Sequence, residues 1–271
     1  MPLPPSLSAA RLLALAAVSV VALTAGGCSN IGAPDATASI GAANPAPRTE
    51  AEWRSSLDRL GRRYQENPGD IDAAIAYARA LRATDQRAQA VAVLQQASIR
   101  NPRSMPLLGD YGRALAEAGQ YRQALETLNR AHTPDNPDWR ILNAQGAVLD
   151  QLGRHDEAQR HYASALKIVP DEPTVLSNLG LSYLLTKDLK NAEITLRRAV
   201  AQQNAGPKVR QNLALVVGLR GRFEEAKKIA TADLPENEAT ANVAYLQQML
   251  AQQRDTKTGA RTHMPTPDAG S

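Results

Sequence analysis

Residues that could support catalysis or hold a metal ion are few in this sequence and are widely spaced. It contains four histidines, His132, His155, His161 and His263. No two of them are three or four residues apart, the spacing that brings side chains together on one face of a helix. The chain has one cysteine, so a zinc site built from several thiolates is excluded. It also has no glycine-rich phosphate loop, nucleophile elbow or catalytic triad. We therefore expect no enzymatic activity, no cofactor and no metal.

The single cysteine, Cys28, is the residue whose context predicts a covalent modification. Arg11 precedes an apolar stretch at residues 12–23, which has the length expected for a secretory signal. Such a stretch is too short to span a bilayer, which needs about 20 apolar residues. Small residues then lead to the cysteine in the sequence Thr-Ala-Gly-Gly-Cys at 24–28. This segment resembles the lipobox of bacterial lipoproteins, with Ala25 where leucine is usual.

The lipobox resemblance implies that residues 1–27 are removed as a signal peptide and that Cys28 carries the lipid. Ser29 follows the cysteine, and the resemblance then implies sorting to the outer membrane, where several acyl chains give stable anchoring. The alternative is an ordinary secretory signal cleaved near Ala25, which would leave Cys28 as a free thiol. Residues 28–48 have almost no large apolar side chains, so we expect a flexible tether. A disordered tail is expected at 255–271.

Between the predicted tether and the predicted tail, small residues recur with a strict 34-residue period. Gly146 corresponds to Gly112 and Gly180. Alanines keep the same phase without insertion or deletion at Ala90, Ala124, Ala158, Ala192 and Ala226. A 34-residue period of helix–turn–helix units is the signature of tetratricopeptide (TPR) repeats. The chain therefore resembles TPR proteins, which predicts an all-α superhelix, a solenoid of helix pairs with flanking capping helices. Five repeats are predicted, at 71–104, 105–138, 139–172, 173–206 and 207–240.

The two helices of each repeat, helix A and helix B, are predicted to pack through small residues. We expect Gly146 on helix A to face Ala158 on helix B, because little side chain fits where the helices cross. In three repeats the turn from A to B carries a glycine: Gly119, Gly153 and Gly221. A positive φ at this turn would favour glycine. Asp85 and Lys187 stand there in the first and fourth repeats.

One additional helix is predicted on each side of the repeats. Residues 49–70 form the first, with one apolar face made of Trp53, Leu57, Leu60 and Tyr64. Thr49 and Glu52 have the spacing of a capping box at its start. Residues 241–254 form the second, with Val243, Leu246, Met249 and Leu250 at helical spacing. This second helix is expected to cover the exposed end of the stack.

The TPR resemblance also implies which residues bind a partner, since certain positions of helix A line the concave face of such arrays. In the first two repeats these positions give a basic end: Arg79, Arg82 and Arg113. In the third they are polar: Arg140, Asn143, Asp150 and Gln151. In the last two they are mostly apolar: Asn178, Leu181, Leu184, Leu185, Asn212, Leu215 and Leu219.

Asn178 and Asn212 occupy the position at which peptide-binding TPR domains use a side-chain amide to hold the ligand backbone, since an amide both donates and accepts. The predicted groove fits an extended or helical segment that is apolar at one end and acidic at the other. Other interpretations are open. Asparagine is common at this position in TPR sequences, the leucines can be covered by the C-terminal helix, and the arginines can be a solvated face.

The closing part of the chain carries a closer resemblance. The run KVRQNLALVVGLRGRF at 208–223 continues into Asp233-Leu234-Pro235 and then ANVAYL at 241–246. It resembles the TPR lipoproteins of the tight-adherence (Flp) pilus system, the TadD family. The resemblance implies an outer-membrane lipoprotein that faces the periplasm and helps the pilus secretin assemble or localise, in a pilotin-like role. Its expected partners are the secretin or other pilus-assembly proteins.

Two other functions fit a lipid-anchored scaffold. One is an envelope adaptor that recruits peptidoglycan enzymes or outer-membrane-protein assembly components, and the other is a module that regulates an enzyme. The net charge of +4 is mild and the basic residues form no run. We therefore expect neither a nucleic-acid partner nor, in the absence of a catalytic motif, a small-molecule substrate.

Overall fold

The computed structural model describes residues 49–262, with side chains described as far as Gln252. In this part of the chain there are twelve α-helices and no strand, apart from an isolated bridge between Thr133 and Asn136. The helices follow one another as antiparallel pairs, so the predicted all-α solenoid is confirmed. The predicted signal peptide (1–27), the lipidation site Cys28 and the tether (28–48) lie outside the described residues.

The helices keep the order that the repeat period predicts. A single helix, α1 (Glu50–Glu66), comes first. The A helices are α2 (Ile71–Ala83), α4 (Met105–Glu117), α6 (Trp139–Gln151), α8 (Pro173–Leu185) and α10 (Pro207–Leu219). The B helices are α3 (Arg87–Arg100), α5 (Tyr121–Leu128), α7 (His155–Ile168), α9 (Leu189–Val200) and α11 (Phe223–Ala230). The last helix is α12 (Glu236–Thr262). None of the helices within residues 49–262 is long and apolar enough to cross a membrane.

Helix α1 closes the N-terminal end of the stack. The predicted capping box is confirmed, because Thr49 Oγ1 accepts from the Glu52 amide and the Glu52 carboxylate accepts from the Thr49 amide. Tyr64 is buried, and its ring stacks on Tyr77 of α2 with 5.9 Å between ring centroids. Trp53 is half-buried. The apolar face of α1 therefore packs on the first repeat.

Helices A and B of a repeat approach each other at a glycine. A Cβ atom on Gly146 would lie 2.5 Å from the Tyr162 ring, so no larger residue fits there without a shift. The equivalent pairs are Gly112 with Leu128 and Gly180 with Leu196. The large side chain one helical turn beyond Ala158 covers the glycine, and the alanine position lies beside it: in the second repeat the carbonyl oxygen of Ala124 would be 3.4 Å from a Cβ atom on Gly112. Each glycine makes room for a large residue of helix B, and this contact joins the pair.

The turns from helix A to helix B share one backbone conformation. Gly119, Gly153 and Gly221 have φ values of 76°, 75° and 82°, as the sequence predicts for this position. Asp85 and Lys187 adopt the same conformation, with φ values of 61° and 64°. The two repeats that lack glycine therefore keep the same turn. In them a residue with a side chain adopts the left-handed conformation, which is strained.

Two B helices are short, and only the first is followed by a compensating loop. Helices α5 and α11 have 8 residues each, against 14 in α3 and α7. After α5, residues 129–138 form a long connection that returns α6 to the repeat phase. After α11, only residues 231–235 separate it from α12. The last helix therefore begins at Glu236, ahead of residue 241, where the 34-residue period would place the next A helix.

Helix α12 packs closely on α10. A Cβ atom on Gly218 of α10 would meet the Leu246 side chain of α12 at 2.5 Å. The last helix therefore covers the end of the stack at a glycine.

The predicted bounds of the C-terminal helix, 241–254, are too narrow. Helix α12 has 27 residues and begins at Glu236, directly after Pro235. It continues to Thr262, so residues 255–262 are helical where a disordered tail was predicted. The physical reason is that no proline interrupts the sequence before Pro265. The rest of the predicted tail, 263–271, lies outside the described residues.

Candidate partner-binding surface

The predicted basic end of the concave face is an ion-pair network. Arg79 donates from Nε and Nη2 to the two carboxylate oxygens of Asp110, at 3.0 and 2.9 Å. Arg82 donates from Nε to Glu117 at 2.6 Å, and an Nη1 of Arg113 lies 3.8 Å from Asp110. The carboxylates lie on α4 and two of the three arginines on α2, so these pairs join the first two repeats. The predicted basic end is therefore paired within the array, and of its three arginines only Arg79 is substantially exposed.

Burial separates the three arginines further. Burial lowers the pKa of the Arg113 guanidinium, and the nearby Asp110 carboxylate only partly opposes this. The Arg113 Nε atom is buried and has no hydrogen-bond partner. For Arg82, burial is outweighed by the hydrogen bonds and charge of Glu117, so its pKa is raised. Arg113 and Arg82 are therefore held inside the array rather than presented to a partner.

The middle of the concave face is closed by contacts between A helices. Every residue of α6 at 141–150 is buried. Asn178 Nδ2 donates to Asn143 Oδ1 at 3.0 Å, and both side chains are buried. Asn212 is half-buried and donates to Ser177 Oγ at 3.0 Å. The prediction that Asn143 and Asn178 are available to a partner is wrong, because each amide joins neighbouring repeats instead.

Asp150 was also predicted to line the groove, and it is buried at the junction of three helices. It accepts from Ser182 Oγ at 2.8 Å and from the Tyr162 hydroxyl at 3.0 Å, and His155 Nδ1 lies 2.9 Å away. Burial raises the pKa of the Asp150 carboxyl, while His155 and the two hydroxyl donors oppose the rise. Burial and the Asp150 charge raise the pKa of Tyr162 well above its usual value. The cluster links repeats three and four.

Sequence reasoning missed this cluster because its members come from α6, α7 and α8. The nearest signal in the sequence is Tyr162, which stands where three other repeats have leucine, at Leu94, Leu128 and Leu196. The two remaining predicted positions of the third repeat are at its edges. The Arg140 guanidinium lies 4.5 Å from the centre of the Trp139 ring, a cation–π contact, and Gln151 is exposed.

The apolar part of the predicted groove remains accessible. We call it the leucine strip and define it as Leu181, Leu184 and Leu185 on α8 with Leu215 and Leu219 on α10. Leu185 is 47% exposed and Leu215 is 36% exposed. The other three leucines are half-buried. Large apolar side chains with this exposure on one face are typical of a protein-binding surface.

The C-terminal helix does not cover the strip on α8. Within residues 49–262, the backbone of α12 approaches α10 and α11, and none of its Cα atoms lies within 8 Å of one in α8. Its buried residues Ala239 and Leu246 pack on the last repeat. The open interpretation in which α12 fills the groove therefore fails for Leu181 and Leu185.

Among the residues whose side chains are described, no group of three histidine, cysteine or acidic residues could hold a metal ion.

A stack of helix pairs with this repeat, closed by a helix at each end, defines the chain as an α-solenoid repeat protein. The repeats are tetratricopeptide repeats: residues 86–146 and 140–205 each match a family model described as tetratricopeptide repeat. The match covers residues 86–205, and the helix pairs on either side of this region share its solenoid geometry.

Solved structures of TPR proteins share this fold. The APC/C hetero-tetramer Cut9-Hcn1 has a TM-score of 0.62 at 15% identity, over 74% of this chain and 40% of that one. PilW, described as a widely conserved type IV pilus biogenesis factor, has a TM-score of 0.61 at 16% identity, over 74% and 91%. A tetratricopeptide repeat protein from Parabacteroides merdae ATCC 43184 has a TM-score of 0.62 at 11% identity, over 73% and 79%. The identities establish the fold alone. No curated protein sequence matches the chain.

Proposed function

We propose that this chain is a scaffold that assists pilus assembly by binding one protein component of the machine through the leucine strip. The observation that carries the proposal is the exposed apolar surface on α8 and α10, formed by Leu181, Leu185 and Leu215. TPR arrays bind other proteins through such surfaces. Most polar and charged positions of the concave face contact other residues of the array, and the strip is its accessible apolar part.

The pilus role rests on two further observations. The closing run at 208–223 with ANVAYL at 241–246 resembles the TPR lipoproteins of the tight-adherence (Flp) pilus system. PilW, a structure of similar fold, is described as a type IV pilus biogenesis factor. On this basis the partner is the pilus secretin or another assembly protein, and the role is pilotin-like. The lipobox-like segment ending at Cys28 supports anchoring in the outer membrane with the repeats in the periplasm.

Site-specific photo-crosslinking in cells tests this proposal. A photoreactive amino acid replaces Leu185, which is 47% exposed, and the adducts are identified by mass spectrometry. The matched control carries the same amino acid in place of Ile194 on α9, which is 57% exposed. We expect a secretin or pilus-assembly protein to be captured from position 185 and not from position 194.

Other adducts would redirect the assignment. Capture of a peptidoglycan enzyme or an outer-membrane-protein assembly component from position 185 would indicate an envelope adaptor. Adducts within this chain alone, or the same proteins from both positions, would exclude the leucine strip as the partner site. Pilus ATPase, secretin and prepilin genes beside the gene for this chain would independently support the pilus role.

A further inference from the structure

The leucine strip lacks free polar groups beside it, which limits the kind of segment it can bind. Asn178 is buried and bonded to Asn143, and the Asn212 amide donates to Ser177. The buried Asn178 amide cannot hold the backbone of an extended segment without breaking a contact between repeats, and one N–H of Asn212 is engaged in the same way. Each backbone N–H or C=O buried on the strip without a partner would weaken the binding of an extended segment. A helix avoids this cost, because its backbone groups bond to one another.

The spacing of the leucines also suits a helix. Leu181 and Leu185 are one turn apart on α8, and Leu215 and Leu219 are one turn apart on α10. These two A helices are neighbours in contact. Two adjacent rows of side chains with a helical spacing leave a groove that accepts the ridge of a third helix. The strip thus provides apolar contacts at helical spacing and few polar groups for the backbone of a bound segment.

The charges around the strip favour a bound helix whose flanking residues are acidic. Helix α8 has no charged residue, and α10 has two, both cationic, Lys208 and Arg210. Arg210 is paired with Asp233, at 2.7 Å from Nε to Oδ2. Directly beyond the leucines of α8 lies the exposed cation Lys187, whereas Arg220 beyond α10 is paired with Glu193. Acidic residues on a partner would be attracted there, and basic ones would be repelled.

We propose that the leucine strip binds an amphipathic α-helix of the partner, with an apolar stripe on the leucines and acidic residues beside it near Lys187. This inference rests on the proposed function, since the strip must first be the partner site. It specifies the conformation and charge of the bound segment, which the repeat fold alone leaves open.

The test uses the peptide that is cross-linked to position 185, synthesised as identified by mass spectrometry. It is titrated with the full chain and followed by fluorescence anisotropy and by circular dichroism at 222 nm. We expect binding to increase helicity. A version of the peptide with proline at its centre should bind at least tenfold more weakly, because proline breaks the helix.

Variants of the chain separate the strip from general effects. Leu185→Asp should weaken binding of the peptide at least tenfold, and Lys187→Glu should weaken it severalfold by repelling the acidic flank. Ile194→Asp, on the exposed residue of α9 already used as a control, should leave the affinity unchanged. Each variant is first compared with the wild type by circular dichroism and melting temperature. If Leu185→Asp loses helicity, Leu185→Gln replaces it.

The outcomes distinguish this inference from the proposed function. A peptide that binds without gaining helicity and tolerates the central proline binds in an extended form, which overturns the inference while the partner site stands. Tighter binding to the Lys187→Glu variant overturns the acidic flank. Failure to capture any other protein from position 185 removes the proposed function and this inference together.

Discussion

Buried charges in this array are held by partners on neighbouring helices, as Glu193 on α9 illustrates at the scale of single residues. Its side chain is 6% exposed and accepts from Arg197 Nε at 2.7 Å. It also accepts from Arg220 and Arg222, which belong to the A-to-B turn of the following repeat. Burial disfavours the charged carboxylate, but the arginines outweigh it and lower the pKa of Glu193 from 4.5 to about 2. The carboxylate thus links repeats four and five.

We predict that Glu193→Gln destabilises the chain in a pH-dependent manner. A carboxyl whose pKa is lower in the folded state contributes stability above its unfolded pKa near 4.5, and that contribution is lost as the pH falls towards 2. The variant should lose about 2 kcal/mol of unfolding free energy at pH 7, and the difference from the wild type should shrink below pH 4.5. Urea unfolding at pH 7, 4.5 and 3 measures this.

Glu157→Gln provides the matched control for Glu193. Glu157 pairs with Arg154 at 2.6 Å, but both side chains are substantially exposed, so solvent screens the pair. It should change stability little at any of the three pH values. A destabilisation by Glu193→Gln that stayed constant from pH 7 to pH 3 would contradict the role of the charge.

The turns without glycine give a second prediction at this scale. Lys187 has a φ of 64°, a left-handed conformation that costs a residue with a side chain roughly 1 kcal/mol or more. Lys187→Gly should therefore raise the unfolding free energy by up to about 1 kcal/mol, less the greater entropy of glycine in the unfolded chain. Asp85→Gly should gain less, because aspartate tolerates this conformation better and pairs with Arg87 at 2.8 Å. Thermal unfolding of both variants checks the order, and a loss of stability in Lys187→Gly would disprove the strain.

At the scale of helices, the small residues determine how A and B pack. Their 34-residue spacing predicts which positions are close, and the structure has each glycine at such a contact. The partner across the contact was not predictable, because the sequence does not give the angle at which the two helices cross. The lengths of α5 and α11 were not predictable either. No proline immediately follows either helix, so the sequence does not mark where the two helices end.

We predict that Gly146→Ala destabilises the third repeat. The added methyl group would lie 2.5 Å from the Tyr162 ring, which is itself fully buried and bonded to Asp150. The ring cannot move without breaking that hydrogen bond, so the substitution should cost about 1–3 kcal/mol. Gly69→Ala is the control, because its methyl group would meet only Asn67 Oδ1 at an ordinary 3.4 Å. Chemical denaturation that gave equal stabilities for the two variants would refute the close approach.

At the scale of the whole molecule, the sequence predicted the solenoid better than it predicted the binding surface. The predicted partner-binding positions do lie on the A helices. The contacts that their side chains make with neighbouring repeats could not be predicted. Arg79 pairs with Asp110 and Asn143 with Asn178, contacts that join residues 31 and 35 apart in the sequence. A single sequence does not reveal such pairs. Leu185 and Leu215 stay exposed, while Leu184 packs against a cluster that includes residues of α10.

The anchoring of the molecule remains a prediction from residues 1–28, and Cys28→Ser tests it. Without the thiol no lipid can be attached. An acyl chain contributes about 0.8 kcal/mol per buried CH₂ group, and two or more chains are needed for stable anchoring. We expect the wild type to fractionate with the outer membrane and the Cys28→Ser protein to be lost from that fraction. Ser29→Asp is the matched variant: it keeps the thiol and, by the sorting rule of the lipoproteins that this segment resembles, should move the protein to the inner membrane.

Unchanged sedimentation of Cys28→Ser with the outer membrane would refute lipid anchoring, and the apparent attachment would then have to come from the partner bound at the leucine strip. Combining Cys28→Ser with Leu185→Asp decides between these two, because only attachment through the partner would be lost on adding the second substitution.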